Sequence, residues 1–291
     1  MKILVSTDTS CLVNNQVFKD YNISVFPLNV IIDGEEFLDG VTINQDQLRD
    51  AMRAGKNIKT STPPLGLISE YFEEKLKECY DHIIHFTISS KLSSMNELFK
   101  NVAEKEFNGK ITVVDSLGVS LPMISYVFYA YDRANKGDTP EQIVSVIEQH
   151  KKDSQVTFIP ENLTALKNGG RISPNVAFIG NLLGIKPVIA LKDGALDKID
   201  TTRRERKYLT DLISQSVNDY PTSDYDYCII AFDTADYVLK TIYECMDNLV
   251  GEGKYVKGLI PINVCAHCGP GTVGVAIARK IGGNSVCDFI K

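Results

Sequence analysis

The chain has 291 residues, of which 44% are hydrophobic and 23% charged, with a formal net charge of −6. That length accommodates two domains, and the composition is too apolar for disorder. The acidic balance argues against nucleic acid as a general partner, and no stretch interleaves aromatics with Lys and Arg as single-strand binding would require.

No window approaches 18 continuous apolar residues, which argues against a membrane span and leaves at most a transient contact with a membrane surface. The start, MKILVSTDTS, is too short in its apolar part for a signal peptide. Seven cysteines without a regular framework suit a reducing, cytoplasmic setting.

Residues 2–5 predict a short buried strand ending in the polar turn Ser6-Thr7-Asp8-Thr9-Ser10. Residues 13–21 have helical spacing, and residues 23–32 read as strand despite Pro27. Asp33-Gly34 fits a hairpin turn, and Asn44 is placed to cap a helix bearing Leu48, Ala51 and Met52 and closed by Gly55. In Thr60-Ser61-Thr62-Pro63-Pro64, hydroxyls precede a Pro at the start of a helix carrying Ile68, Tyr71, Phe72 and Leu76.

Residues 83–88 predict a buried strand that turns through Ser89-Ser90-Lys91-Leu92-Ser93-Ser94 into a helix with Met95, Leu98, Phe99 and Val102. Two readings apply to this turn. It is either an anion-binding corner beside unpaired helix N–H groups, or a simple cap with Ser94 and Glu97 at capping-box spacing. A strand over residues 111–114 ends in Asp115-Ser116, and helices follow over residues 121–135 and, behind Asp138-Thr139-Pro140-Glu141, to about residue 151. Strand, polar turn and helix in succession predict βαβ units and a mainly parallel sheet, on which ligands bind beyond the carboxyl ends of the strands.

The pattern changes near Asp153. A strand at residues 156–159 and a helical turn at 163–167 lead to Asn168-Gly169-Gly170-Arg171-Ile172-Ser173-Pro174. Ser173-Pro174 reads as a cap with Pro at the first helical position, which holds Arg171 at a corner; the alternative is a surface Arg paired with a carboxylate. Residues 175–185 are apolar enough to line a cavity or fill a core. Lys192-Asp193-Gly194-Ala195 predicts a hairpin, and Thr202-Arg203-Arg204-Glu205-Arg206-Lys207 the start of a helix with a solvated basic face. Residues 227–232 and 257–264 read as strands and 237–249 as a helix.

Cys265-Ala266-His267-Cys268-Gly269-Pro270-Gly271-Thr272-Val273-Gly274 contains G-x-G-x-x-G, but too little chain follows for a ribose-binding acid. The glycines would still let a ligand approach N–H groups at a helix start. With no second Cys-x-x-Cys, no metal site is expected from Cys265, His267 and Cys268. Neither G-x-S-x-G nor a Walker A sequence occurs.

Taken together, Thr60-Ser61-Thr62-Pro63, Ile88-Ser89-Ser90-Lys91-Leu92-Ser93, Asp115-Ser116, Gly169-Gly170-Arg171-Ile172-Ser173 and His267-Cys268-Gly269 resemble, in order and over nearly the whole chain, the signature series of the DegV family. These are the FakB-type fatty-acid-binding subunits of bacterial fatty acid kinase. The resemblance implies an α/β fold of two domains, placed at residues 1–153 and 154–291. The first would be a three-layer α/β/α unit with a mainly parallel sheet, the second a two-layer α/β unit with a mixed sheet.

It also implies a buried long-chain fatty acid such as palmitate or oleate, with no other cofactor. Its carboxylate would be offered to a separate ATP-dependent kinase subunit that forms acyl-phosphate. By motif, Thr60, Ser61, Ser93 and His267 would contact the carboxylate, while Arg171 and Arg203, outside the hydroxyl cluster, would serve phosphoryl transfer or docking. Lys91 and Ser94 stand where the family usually has Gly, and Thr62 where it has Gln. These changes flank the expected carboxylate site.

The chemistry agrees with this resemblance. A carboxylate leaving water needs hydrogen bonds, and an apolar tunnel offers about 0.8 kcal/mol per buried CH₂, or about 10 kcal/mol gross for a 16-carbon tail. One rival reading is an enzyme acting on an acyl or phosphoryl group, with Ser93 as nucleophile and His267 as base. The other is a binding module for a different small carboxylate or an isoprenoid.

Overall fold

The computed structural model describes residues 1–11, 15–172 and 184–290. The first half of the chain runs β1 Ile3–Asp8, α1 Asn15–Asp20, β2 Ser24–Phe26, β3 Asn29–Ile32, β4 Glu35–Leu38, α2 Gln45–Arg53, β5 Ile58–Ser61 and α3 Leu65–Lys77. It continues β6 His82–Thr87, α4 Met95–Glu106, β7 Ile111–Asp115, α5 Leu121–Asn135 and α6 Pro140–His150. The second half is β8 Gln155–Ile159, α7 Thr164–Asn168, β9 Lys186–Lys192, β10 Ala195–Thr202, α8 Glu205–Asp219, β11 Tyr225–Phe232, α9 Asp236–Met246, β12 Val256–Leu259, α10 Ile262–Cys268, β13 Thr272–Arg279 and α11 Val286–Phe289.

Strands β2-β1-β6-β7 form an all-parallel sheet. Its strands are apolar on both faces because both are covered. Leu4, Ile83 and Val113 pack with Ile68, Phe72 and Phe99 of α3 and α4, while Val5, Ile84, Phe86 and Val114 turn toward α5. The mixed sheet β10-β9-β8-β13-β11-β12 carries α8 and α9 on one face, where Tyr227, Ile229 and Val275 meet Leu209, Ile213 and Ile242. Its other face, with Ala276 and Ala278, joins the cluster around α5. Helix α5 therefore lies between the two sheets, against β1 on one side and β13 on the other, and every residue from Leu121 to Ala130 is buried. No helix among the described residues is long and apolar enough to cross a membrane.

Several sequence expectations hold closely, and others need correction. The hairpin at Asp33-Gly34 forms with φ of 51° and 92°, the left-handed pair a two-residue turn requires. Asn44 and Gln47 make a full capping box on α2. The span 23–32 is not one strand: it breaks at Pro27 into β2 of the parallel sheet and β3 of a small antiparallel sheet, β4-β3-β5. Ser6, Thr7 and Asp8 are buried residues of β1 rather than a turn.

Thr60 and Ser61 lie in β5, not at a helix start, and Pro64 precedes α3. Ser94 makes no side-chain cap; the hydroxyl of Ser93 instead accepts from the Met95 N–H at 3.4 Å. Helix α8 starts at Glu205, after Arg203 and Arg204, and α9 passes at Asp247 into a π-helical turn. The Ser173-Pro174 cap and most of the apolar span 175–185 lie outside the described residues.

The largest correction lies near the C-terminus. The span 257–264 is strand only to Leu259, and Pro261 opens α10. The segment after Gly269 is the central strand β13, so no helix start lies there. Gly274 sits where β13 crosses β8: a Cβ there would lie 2.4 Å from the Thr157 carbonyl oxygen and 2.6 Å from Phe158 Cβ. Since backbone cannot yield locally, Gly274→Ala is expected to destabilise the fold by about 3 kcal/mol, the upper part of the overpacking range. A denaturant midpoint equal to wild type would disprove this close approach.

Candidate functional site

A cavity of about 140 Å³ opens beyond the carboxyl ends of the parallel strands. Its wall is assembled from distant segments: Leu28 and Asn29 at the start of β3, Thr60 and Ser61 of β5 with Thr62, Ile88, Leu92 and Ser93 of the turn after β6, and Asn263, Val264, His267 and Cys268 of α10. Met95, Val119, Phe158, Leu166 and Leu196 add apolar surface, and Arg171 completes the lining. A cleft of about 700 Å³ lies on the other side of Thr60, Arg171, His267 and Cys268, which line both spaces. Lys56, Lys59 and Glu161 stand along this cleft.

His267 is fixed from two directions. Its Nε2 is 2.9 Å from the Thr60 hydroxyl. Its ring packs over Gly169, where a Cβ would lie 2.2 Å from Nδ1, so the glycine is there to make room. Burial, with the neighbouring Arg171 guanidinium adding to it, pushes the imidazole down to about 4, so it is neutral at physiological pH. Nδ1 is buried without a protein partner among the described residues.

Arg171 is half-buried, and its Nε donates to the Leu92 carbonyl oxygen at 3.1 Å while Nη1 donates to that of Gly169. It therefore supplies the formal positive charge of the cavity lining. This corrects the expectation that Arg171 lies outside the hydroxyl cluster: the turn after Gly170, whose φ is 68°, points it back against Leu92 and Ser93.

Thr60, Ser61, Ser93 and His267 are brought together with it on one cavity. Arg203 is not. It is exposed, in a separate surface depression with Arg204, Arg206 and Tyr237, where the Arg206 guanidinium lies 5.2 Å from the Tyr237 ring centre.

Ser89 plays a different part in the same turn. It is wholly buried and donates to the Gly194 carbonyl oxygen at 2.7 Å, tying this turn to the β9–β10 hairpin. Cys265 is buried, with its Sγ donating to Ile260 O at 3.1 Å, and no group of three metal-ligating side chains occurs among the described residues. Asn263 and Asn29 are buried polar members of the wall that sequence reading missed. For Asn263 the usable signal was Pro261, which cannot continue a central strand and so marks the following residues as a new element.

A parallel α/β body joined to a mixed sheet, with a cavity rimmed by hydroxyls, an imidazole and a guanidinium, defines a two-part α/β protein built around one internal site. The chain belongs to the DegV family, whose sequence profile matches residues 2–280. A DegV domain-containing protein of Deinococcus radiodurans is 29% identical over 289 residues, covering 95% of this chain and 98% of the relative.

Two solved structures are similar throughout. The fatty-acid-binding DegV family protein of Streptococcus agalactiae has a TM-score of 0.85 at 26% identity, covering 96% of this chain and 99% of that one. A DegV family protein of Thermus thermophilus, described by its fatty acid binding, has a TM-score of 0.83 at 26% identity, covering 96% and 100%.

Proposed function

We propose that this protein binds a long-chain fatty acid such as palmitate or oleate and presents its carboxylate to a separate ATP-dependent kinase subunit for acyl-phosphate formation. The observation that carries this reading is the convergence of Thr60, Ser93, His267 and Arg171 on one cavity whose remaining wall is mostly apolar. The fatty acid binding of the Streptococcus agalactiae and Thermus thermophilus relatives supports it. In this reading Ser93, whose oxygen already accepts from Met95, keeps its proton to donate to the carboxylate, and Thr60 and Ser61 supply further hydroxyls.

Neutral His267 contributes a hydrogen bond rather than charge, so Arg171 balances the anion. The shared wall at Thr60 and His267 leaves the head group next to the outer cleft, where a partner can reach it. Arg203 serves as a docking or phosphoryl-transfer residue outside the cavity. Residues 1–153 and 154–291 are the two domains of this arrangement, which works in the cytoplasm.

The rival with Ser93 as nucleophile needs His267 as its base. His267 Nε2 is instead bonded to Thr60, which favours binding over catalysis.

Native mass spectrometry of the protein as purified from cells is the direct test, with a retained mass equal to a fatty acid expected. Ser93→Ala should weaken palmitate binding by about 10- to 100-fold, from the loss of about 1.5–3 kcal/mol in a hydrogen bond to a charged group. An empty wild-type protein that hydrolyses acyl esters would overturn the proposal. Undiminished affinity in folded Ser93→Ala would remove Ser93 from the site.

A further inference from the structure

Asn263 has more polar capacity than the protein around it uses. It is 5% exposed and lies in α10, one helical turn before His267, and both residues line the cavity. Its backbone N–H donates to Asp39 Oδ2 at 3.0 Å, and its Nδ2 donates to Ser10 Oγ at 3.0 Å. Its Oδ1 has no protein partner among the described residues. Ser10 also holds Ser120, whose N–H donates to the Ser10 carbonyl oxygen at 3.0 Å. The buried Ser120 hydroxyl is likewise without a partner among the described residues, and Val119 beside it lines the same cavity. Two unmet polar atoms thus belong to residues bonded to one serine at this wall.

A carboxylate does not meet this need. It accepts at about four positions and donates at none. Thr60, Ser61, Ser93 and Arg171 already offer that number of donors in the same lining. Oδ1 is itself an acceptor, which a carboxylate cannot satisfy. A turned amide would give its oxygen to Ser10 and leave its NH₂ without an acceptor, so in either orientation one end of Asn263 is unmet. A methylene chain satisfies neither end, and a buried polar group left unpaired is costly. A hydroxyl both donates and accepts, so it satisfies whichever end it meets.

We propose that Asn263 binds a hydroxyl near the head of the acyl chain, so that the cavity takes 3-hydroxy fatty acids in preference to plain ones. This rests on the fatty-acid reading of the cavity. The place of the hydroxyl follows from α10. Residues four apart on a helix are separated by about 6 Å along its axis. With the carboxylate at His267, a hydroxyl on the third carbon and its own hydrogen bond of about 2.8 Å together cover that distance. A hydroxyl at the far end of the chain is out of reach. Ser10 holds the amide and Asp39 the backbone behind it, so the direction of the bond is set before the ligand arrives. One enantiomer is therefore favoured.

The test compares Kd values of wild type and Asn263→Leu for palmitate, 16-hydroxypalmitate and each enantiomer of 3-hydroxypalmitate. In wild type one 3-hydroxy enantiomer should bind about tenfold more tightly than palmitate, the gain of one well-placed hydrogen bond. The other enantiomer and the 16-hydroxy acid should show no gain. Leucine has the branched shape of asparagine without its polar atoms, so in Asn263→Leu the ratio between the enantiomers should fall to about one. If that variant does not fold, the wild-type comparison decides alone. Two 3-hydroxy enantiomers that bind no better than palmitate overturn the proposal and leave the fatty-acid reading intact. An enantiomer preference that survives in folded Asn263→Leu does the same. Failure of wild type to bind any of the four acids overturns both.

Discussion

Gly169→Ala is expected to empty the cavity of lipid while leaving the backbone able to fold. The φ of Gly169 is −75°, which alanine adopts freely, so the obstacle is steric alone. The added methyl would lie 2.2 Å from His267 Nδ1 and 3.0 Å from Cε1, and one of the two must move. The ring is the freer party, and its displacement breaks the 2.9 Å contact with Thr60 that sets the imidazole against the cavity. Loss of one oriented donor to a carboxylate is worth about 1.5–3 kcal/mol, so palmitate affinity should fall about 10- to 100-fold. The fold itself should lose about 1–3 kcal/mol to overpacking. Adding His267→Ala to Gly169→Ala should restore the melting temperature but not the lipid. Retention of a full lipid load in Gly169→Ala would mean that His267 takes no part in holding the head group.

The second large effect separates the two arginines. Arg171→Ala removes the cavity's guanidinium and its bonds to the Leu92 and Gly169 carbonyl oxygens, so bound lipid and kinase-coupled acyl-phosphate should both be lost. Arg203→Ala, at an exposed position away from the lining, should keep its lipid and lose most coupled phosphorylation. Arg171→Lys should rescue little, because an ammonium cannot hold two carbonyls and a carboxylate with a planar fork. Lipid content and acyl-phosphate formation, measured on the same preparations, decide the assignment. Lipid retained in Arg171→Ala would return that residue to a docking role, and full activity in Arg203→Ala would make it an ordinary surface charge.

Local signals were the most legible in the sequence. The span of α5 and the Lys192–Ala195 hairpin follow from a continuous apolar helix and an Asp-Gly turn. The hydroxyl turn after β6 was recognisable as lying at a strand's carboxyl end. What stayed hidden depends on approach across long sequence separations. Arg171 is placed by a carbonyl 79 positions away, and Gly169 serves a ring on α10 that no local pattern connects to it. Asn263 was hidden for a different reason: an amide within the apolar run 257–264 carries no period of its own. Pro27 and Pro261 were each read as tolerated inside a strand, and each in fact ends one element and begins another.

The position of α5 has a consequence for how the chain is made. Its two faces are covered by sheets encoded on either side of it, and the second cover is not finished until β13, nearly the last element. On the ribosome the helix emerges with one apolar face already seated on the parallel sheet. The other waits through the synthesis of most of the second half, roughly 7–30 s at about 5–20 residues per second. During that interval α6, made directly after α5, is the first later element to pack on the helix, and the side that meets β13 stays uncovered until that strand is made.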